Sequence, residues 1–268
     1  MHIRLNDQMP IMQNKQLPSF VVLQNVSTAE TRTVRMACLS NDMQIANSTL
    51  EGLAVYRDEL ASGLALPVGS VEFVRYAMDL AGIKEPENIS YPEGAQRFLG
   101  RRISKTKAGQ VLGRWFVKPL TTKAFTGFVF DTLLDESDYG EADRESLEAF
   151  LSMPADAPVW ISEPVTFLSE WRYYVHGGRV IGSARYDQHE REDAPMPDAD
   201  IVSECVFATG ISTPFAADFG VLDSGETVFV EANDFWSLGL YGKALEPLKY
   251  LSLLQERWNS LALGRTKM

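Results

Sequence analysis

The chain has 268 residues with 25 Lys+Arg against 36 Asp+Glu, a formal charge of −11. So acidic a surface repels phosphate backbones and argues against a general coat for DNA or RNA, although it leaves room for a local basic site. The 45% hydrophobic content, with 14 Phe, 9 Tyr and 5 Trp, excludes a disordered acidic chain and implies one large or two small packed domains.

Cys38 and Cys205 stand far apart with no CxxC spacing, so they read as buried small hydrophobes rather than a disulfide or zinc pair. No apolar run approaches the ~18 residues of a membrane span, and the first residues lack an apolar signal core. A cytoplasmic location and no membrane partner are the resulting expectations. His2, His176 and His189 show no metal-ligand spacing, and His176, beside Gly177 and Gly178, reads as a turn residue.

In chain order, Val21 to Leu23 and Val34 to Cys38 read as short strands. Ser70 is placed to cap a helix carrying Val71, Phe73, Val74, Ala77, Met78 and Leu80, with Glu72 in the first turn and Gly82 as its stop. Lys84 to Glu93, with two prolines and little periodicity, reads as a connection near a domain boundary. Longer alternating runs follow. Arg114 to Leu120 is a strand entering a Thr-rich loop, Thr121 to Gly127, and Phe128 to Phe130 leads out of it. Asp135 to Glu148 is acidic and runs into a surface helix around Arg144 to Leu151 that it partly includes; Pro158 to Ser162 is another strand. Glu170 to His176, Gly177-Gly178 and Arg179 to Tyr186 form the clearest hairpin signal. A second hairpin joins Phe215 to Leu222 and Thr227 to Asn233, and Leu245 to Leu263 repeats at helical spacing. Tyr186 to Asp193 is an acidic stretch that reads as a solvated loop or a lid. The sum is an α+β or mixed α/β chain whose sheets are antiparallel.

Alternation puts Glu170 and Arg172 on one strand face, and Arg185, on the partner strand, is expected to reach the same cleft. Glu231 and Asn233 share a face, with Asp218 on their hairpin partner: three oxygen-bearing side chains suited to magnesium bridged to phosphates. Lys118, at a strand end, can neutralise such phosphates. Each motif alone also fits a bland surface. Lys118, Glu163, Glu170, Arg172, Arg185, Asp218, Glu231 and Asn233 gain meaning from their order.

That ordered set resembles the ATP-grasp superfamily, through Trp115-Phe-Val-Lys-Pro119, Val159 to Val165, Glu170-Trp-Arg-Tyr-Tyr-Val175, and Ala217-Asp-Phe-Gly220 with Phe229 to Asn233. More narrowly it is similar to the clade named for two arginines and one lysine, which also tends to carry a segment like Pro67 to Phe73. The resemblance implies an α+β ATP-grasp domain over 97–268, two lobes with antiparallel sheets, after a small mixed α/β domain over 1–96. It implies ATP and Mg2+ as cofactors. Lys118 would bind the ATP phosphates, and Lys105 or Lys107 would be the earlier nucleotide-binding lysine; Glu163, Pro164 and Val165 would receive adenine, flanked by Trp160 or Phe167; Glu170 would contact the ribose. Arg172 and Arg185 would face phosphate or an acyl phosphate, a task suited to a planar charged fork. Asp218, Glu231 and Asn233 would be the metal ligands. The implied reaction joins the carboxylate of a small molecule or peptide to an amine through an acyl phosphate. Alternatives are a nucleic-acid repair or modifying ligase on the same ATP site, using Arg101, Arg102, Lys105, Lys107 and Arg114 as its basic path, and a non-catalytic nucleotide-binding protein. The loop Thr121 to Gly127 departs from the family in having one glycine.

Overall fold

The structure is a computed structural model that describes residues 18–121, 124–187 and 193–264. The chain forms two compact units, Met1–Glu85 with Pro247–Met268, and Pro86–Glu246.

In the first unit, β1 (Phe20–Gln24) lies between β2 (Gln44–Ser48) and β3 (Ala65–Val68), and both pairings are parallel. A parallel strand is covered on both faces, which explains the unbroken run Val21-Val22-Leu23, fully buried here. α1 (Ala29–Leu39), α2 (Arg57–Ser62) and α3 (Val71–Ala81) alternate with the strands. Val34 to Cys38, expected as a strand, lies inside α1. The reason is local: the Thr28 hydroxyl accepts from the Thr31 amide and Thr31 Oγ1 from the Thr28 amide, a reciprocal cap. Beyond that cap, Val34, Ala37 and Cys38 recur at helical spacing on the buried side. α3 has the expected ends, with Ser70 Oγ accepting from the Phe73 amide and Gly82 left-handed at φ 67°. The last helix, α6 (Pro247–Gly264), packs in this unit on α1 and β3, whereas the sequence grouped it with the second domain.

The second unit holds two antiparallel sheets. β4 (Ile103–Lys107), β5 (Arg114–Pro119), β6 (Phe128–Asp131) and β7 (Pro158–Ser162) are ordered β4-β7-β5-β6, and α4 (Glu141–Leu151) covers one face. Val117, Phe128, Leu147, Phe150 and Val159 make that core, in which Phe128 and Phe150 meet edge to face at 6.0 Å. β8 (Phe167–His176), β9 (Arg179–Arg185), β10 (Phe215–Leu222) and β11 (Thr227–Asp234) are ordered β11-β10-β8-β9. The β8–β9 turn uses Gly177 and Gly178 at φ 58° and 72°, the conformation a two-residue primed turn requires. α5 (Ala199–Ala208), which the acidic sequence around Asp198 and Asp200 concealed, covers this sheet with Val202, Cys205 and Val206. Both cysteines are buried. Among the described residues, no helix is long and apolar enough to cross a membrane.

Register fixes which side chains share a face. On β8 and β10, Tyr173, Val175, Phe215, Ala217 and Phe219 enter the core under α5. Glu170, Arg172, Tyr174, Ala216 and Asp218 therefore face the other way, together with Glu231 and Asn233 of β11. In the other sheet, Lys118 of β5, Trp160 of β7 and Lys105 of β4 are directly paired and share the face away from the Val117 core.

Candidate functional site

A charged cluster joins these two faces within the second unit. Arg172 donates from Nε and Nη2 to the two carboxylate oxygens of Asp218, at 2.8 and 2.7 Å, and Asp218 is 0% exposed. Asn233 donates to Asp218 Oδ2 at 2.9 Å and to Glu231 Oε1 at 3.1 Å. From the facing sheet, the Lys118 ammonium is in ion-pair contact with Glu231. Two cations and two carboxylates thus neutralise one another. Opposed charges in a water-poor site are worth far more than the same pairs on a surface.

Burial, the largest effect, and the fields of Arg101 and Arg172 push the Lys118 ammonium down to about 8, while Asp218 opposes them. For Arg172, burial works against the charge, but Asp218 outweighs it and holds the guanidinium ionised. Its open side is covered by an aromatic pair: the guanidinium lies 5.4 Å from the Tyr186 ring and 5.2 Å from the Tyr241 ring. Tyr241 is held over it because Tyr174 donates to Gly239 O at 2.9 Å and accepts from the Tyr241 amide at 3.0 Å. Gly182 admits this strap, since a β-carbon there would sit 2.0 Å from Ala244 O. Gly182→Ala is accordingly expected to lower stability by about 1–3 kcal/mol in urea melts and to loosen the Tyr241 cover.

Glu170, on the Arg172 face, takes a hydrogen bond from Tyr186. Burial first, then Asp218 and Asp187, raise its carboxyl, against the effect of Tyr186 and Arg101.

Arg185 does not join that face as expected. The β8–β9 register sets Ala184 opposite Arg172 and Arg185 opposite Trp171, on the other side. Its guanidinium grips Asp187 at 2.7 and 2.8 Å, and Asp187 also accepts the Glu170 amide at 2.8 Å. Arg185 therefore reaches Glu170 through Asp187.

Lys105 lies over Trp160, Nζ 4.6 Å from the ring, and both belong to the Lys118 face. Lys107 shares it only at the exposed strand end, opposite Pro158. Tyr91 meets Trp160 edge-on at 4.8 Å, with Lys118 5.6 Å from the Tyr91 ring. Glu163 spends its side chain on Arg102, accepting from Nε at 2.9 Å and Nη2 at 2.6 Å, so Glu163, Pro164 and Val165 offer backbone groups. Phe167 packs on Gly220 instead, near Arg101. Of the basic path drawn for a nucleic acid, Arg101 is tied to backbone carbonyls, while Arg102 pairs with Glu163 and stays exposed. Parts of two expected loops, residues 122–123 and 188–192, and with them His189, lie outside the described residues, as does His2.

The donor chemistry suits a hard cation. Asp218 and Glu231 are directly paired across β10 and β11, and the Asn233 amide lies beside them. Among the described residues no three His, Cys, Asp or Glu side chains gather to hold a metal. A cation here rests on two carboxylates, an amide and oxygens from outside the chain, which is the habit of Mg2+.

Sequence reasoning missed Tyr91 and Tyr241, and it gave Tyr186, Asp187 and Arg101 other roles, the first two in an acidic loop or lid and the third in a basic path. Tyr186 was accessible through the hairpin register, which returns it to Glu170; Tyr241 lies in a turn-rich stretch without periodicity and gave no signal.

A model of the ATP-grasp domain, family 2 of the clade named for two arginines and one lysine, matches residues 98–253. No curated protein matches the sequence. D-alanine–D-alanine ligase from Bacillus anthracis, solved in complex with ATP, is similar in fold: TM-score 0.52 and 14% identity over 93% of this chain and 100% of that one. An ATP-grasp ligase called PsnB, complexed with a minimal precursor, is 16% identical over 90% of this chain and 100% of its own, with TM-score 0.49. An L-amino acid ligase from Bacillus licheniformis is 10% identical over 81% and 67%, with TM-score 0.48.

Proposed function

The chain belongs to the ATP-grasp domains, in family 2 of the clade named for two arginines and one lysine, and from that premise we propose that it is an ATP- and Mg2+-dependent ligase that joins a carboxylate to an amine through an acyl phosphate. The observation that carries the reading is the neutral cluster of Lys118 with Glu231 and Arg172 with Asp218, on strands facing one another. These are the charges a triphosphate and a divalent cation need, already gathered and provisionally paired. With Mg-ATP bound, the carboxylates would hold the cation and Lys118 and Arg172 would meet phosphate oxygens, so no charge would be left buried alone.

Lys118 and Lys105 hold the phosphates beside Trp160, the backbone of Glu163 to Val165 receives the adenine, and Glu170 accepts the ribose hydroxyls. Asp218, Glu231 and Asn233 would hold Mg2+, which would supply positive charge against the phosphates. A substrate carboxylate oxygen attacks the γ-phosphorus, the bond to the β–γ bridging oxygen breaks, and ADP leaves. Arg172 faces the charge on the transferring group, and its fixed orientation under Tyr186 and Tyr241 means that little reorganisation is needed. An amine then attacks the acyl carbon, phosphate departs and the nitrogen loses its proton. Arg185 acts through Asp187 on Glu170. The substrate that supplies the carboxylate is a small molecule or peptide.

Incubating the purified chain with Mg-ATP and a panel of amino acids and short peptides is expected to release ADP and phosphate with a subset of them. Retained nucleotide binding with no turnover across the panel would favour a nucleotide-sensing protein. Because only the ammonium form of Lys118 attracts phosphate, affinity for Mg-ATP should weaken as pH rises above about 8. Lys118→Arg, which stays charged, should flatten that profile between about pH 7 and 9 in calorimetric titrations.

A further inference from the structure

Alternation along β11 breaks once. Ala232 enters the core and Glu231 faces the charged cluster, so a strict two-residue repeat would turn Phe229 toward the cluster as well. Instead Asp218 pairs with Glu231 and Phe219 pairs with Phe229, which leaves Val230 as an extra residue, a β-bulge. Phe229 is thereby wholly buried, its ring 5.5 Å from that of Phe219, while Glu231 two residues later still reaches Asn233 and Lys118.

A bulge takes carbonyls out of the ladder, and buried carbonyls need donors. Arg101 supplies them. Its Nη1 donates to Phe229 O at 3.1 Å and to Leu99 O at 2.9 Å, and its Nη2 donates to Val230 O at 3.2 Å. Gly100, at φ 59°, brings the backbone close enough, since a β-carbon there would lie 2.3 Å from Val228 Cγ1. Arg101 also contacts the Tyr91 hydroxyl. Glu170 favours the Arg101 charge without forming an ion pair, and the Arg101 Nη donors go to the bulge and to Leu99 O.

We propose that Arg101 is a positioning residue: its guanidinium clamps the bulge at Val230 and so fixes the Glu231 carboxylate toward the divalent cation. This rests on the reading of Glu231 as a Mg2+ ligand. Two Nη groups in one plane match two consecutive carbonyls, whereas a lysine offers a single point of attachment.

Two measurements separate the parts. Hydrogen exchange on nucleotide-free protein reads the clamp alone: in Arg101→Met, amides of Thr227–Asp234 should exchange at least about tenfold faster, with those of the β4–β7 sheet unchanged. Unchanged exchange in β11 overturns the clamp whether or not the protein binds nucleotide. Calorimetry with a non-hydrolysable ATP analogue at graded Mg2+ reads its consequence. Arg101→Met should raise the Mg2+ concentration for half-maximal binding by about 10- to 100-fold and leave binding in EDTA unchanged, and Arg101→Lys should recover only a minor part. Full rescue by Lys, or equal loss with and without Mg2+, overturns the proposal in favour of a direct charge contact with nucleotide. Wild-type protein without Mg2+-dependent binding, or Glu231→Gln with unaltered Mg2+ dependence, refutes the Glu231 assignment and the cation link with it; the exchange result still decides the clamp.

Discussion

Arg172→Ala is expected to cost about 3–5 kcal/mol of folding stability, seen as a lower urea midpoint at unchanged slope. The size follows from what is left behind. Asp218 is 0% exposed and takes two of its hydrogen bonds from Arg172, so deletion leaves a carboxylate with Asn233 and no cation bonded to it. The aromatic pair of Tyr186 and Tyr241 loses the charge it covers as well. Replacing both partners, Arg172→Met with Asp218→Leu, removes the stranded charge and should recover much of the stability, because well-packed apolar pairs often match buried ion pairs. That double variant should nonetheless be inactive. Stability and activity would then part company, as expected where a buried pair is kept for chemistry. If Arg172→Ala is as stable as wild type, the pair is not buried as the structure places it.

The second large effect concerns Lys118. Lys118→Ala should reduce kcat by about 100- to 1,000-fold, the usual range when one preorganised donor to a developing negative charge is removed. Its effect on stability should be smaller than that of Arg172→Ala, because the Lys118 and Glu231 side chains remain 22% and 21% exposed and water can take over the carboxylate. Lys118→Arg should restore part of the rate, having the charge but a different reach. Steady-state kinetics on all three proteins, with urea melts as control, gives the comparison. Equal kcat in wild type and Lys118→Ala would remove Lys118 from the phosphate site.

Much of this architecture is legible in the sequence where local patterns coincide with burial. The hairpin about Gly177 and Gly178 is announced by two alternating runs and a turn that only glycine enters easily, and α3 by a serine cap, an apolar stripe and a terminal glycine. Arg172, Asp218, Glu231 and Asn233 gather on one face because strand periodicity is simple and their hairpins are tight. α1 was hidden because a short apolar run cannot distinguish a helix face from a strand, and its cap is made by two threonines rather than an acidic partner. β2, with Gln44, Asn47 and Ser48, carries no apolar repeat. Arg185 was assigned to the wrong face because register depends on pairing across the turn, which shifts between Tyr174 and Val175. The bulge at Val230 did leave a trace: Phe229 and Glu231, one apolar and one charged, stand two apart where alternation expects likeness. Arg101, read as part of a basic path, gave no sign of this role, since the two bulge carbonyls it serves lie more than a hundred residues away in sequence.

That a carboxylate is phosphorylated and an amine then displaces the phosphate can be read directly from oxygen-isotope transfer. A panel substrate that supports ADP release is prepared with 18O in its carboxylate and turned over with Mg-ATP, and the released phosphate is read by mass spectrometry. One 18O atom is expected in each phosphate formed, together with ADP and the amide. Unlabelled phosphate, or AMP and pyrophosphate in place of ADP, would contradict it.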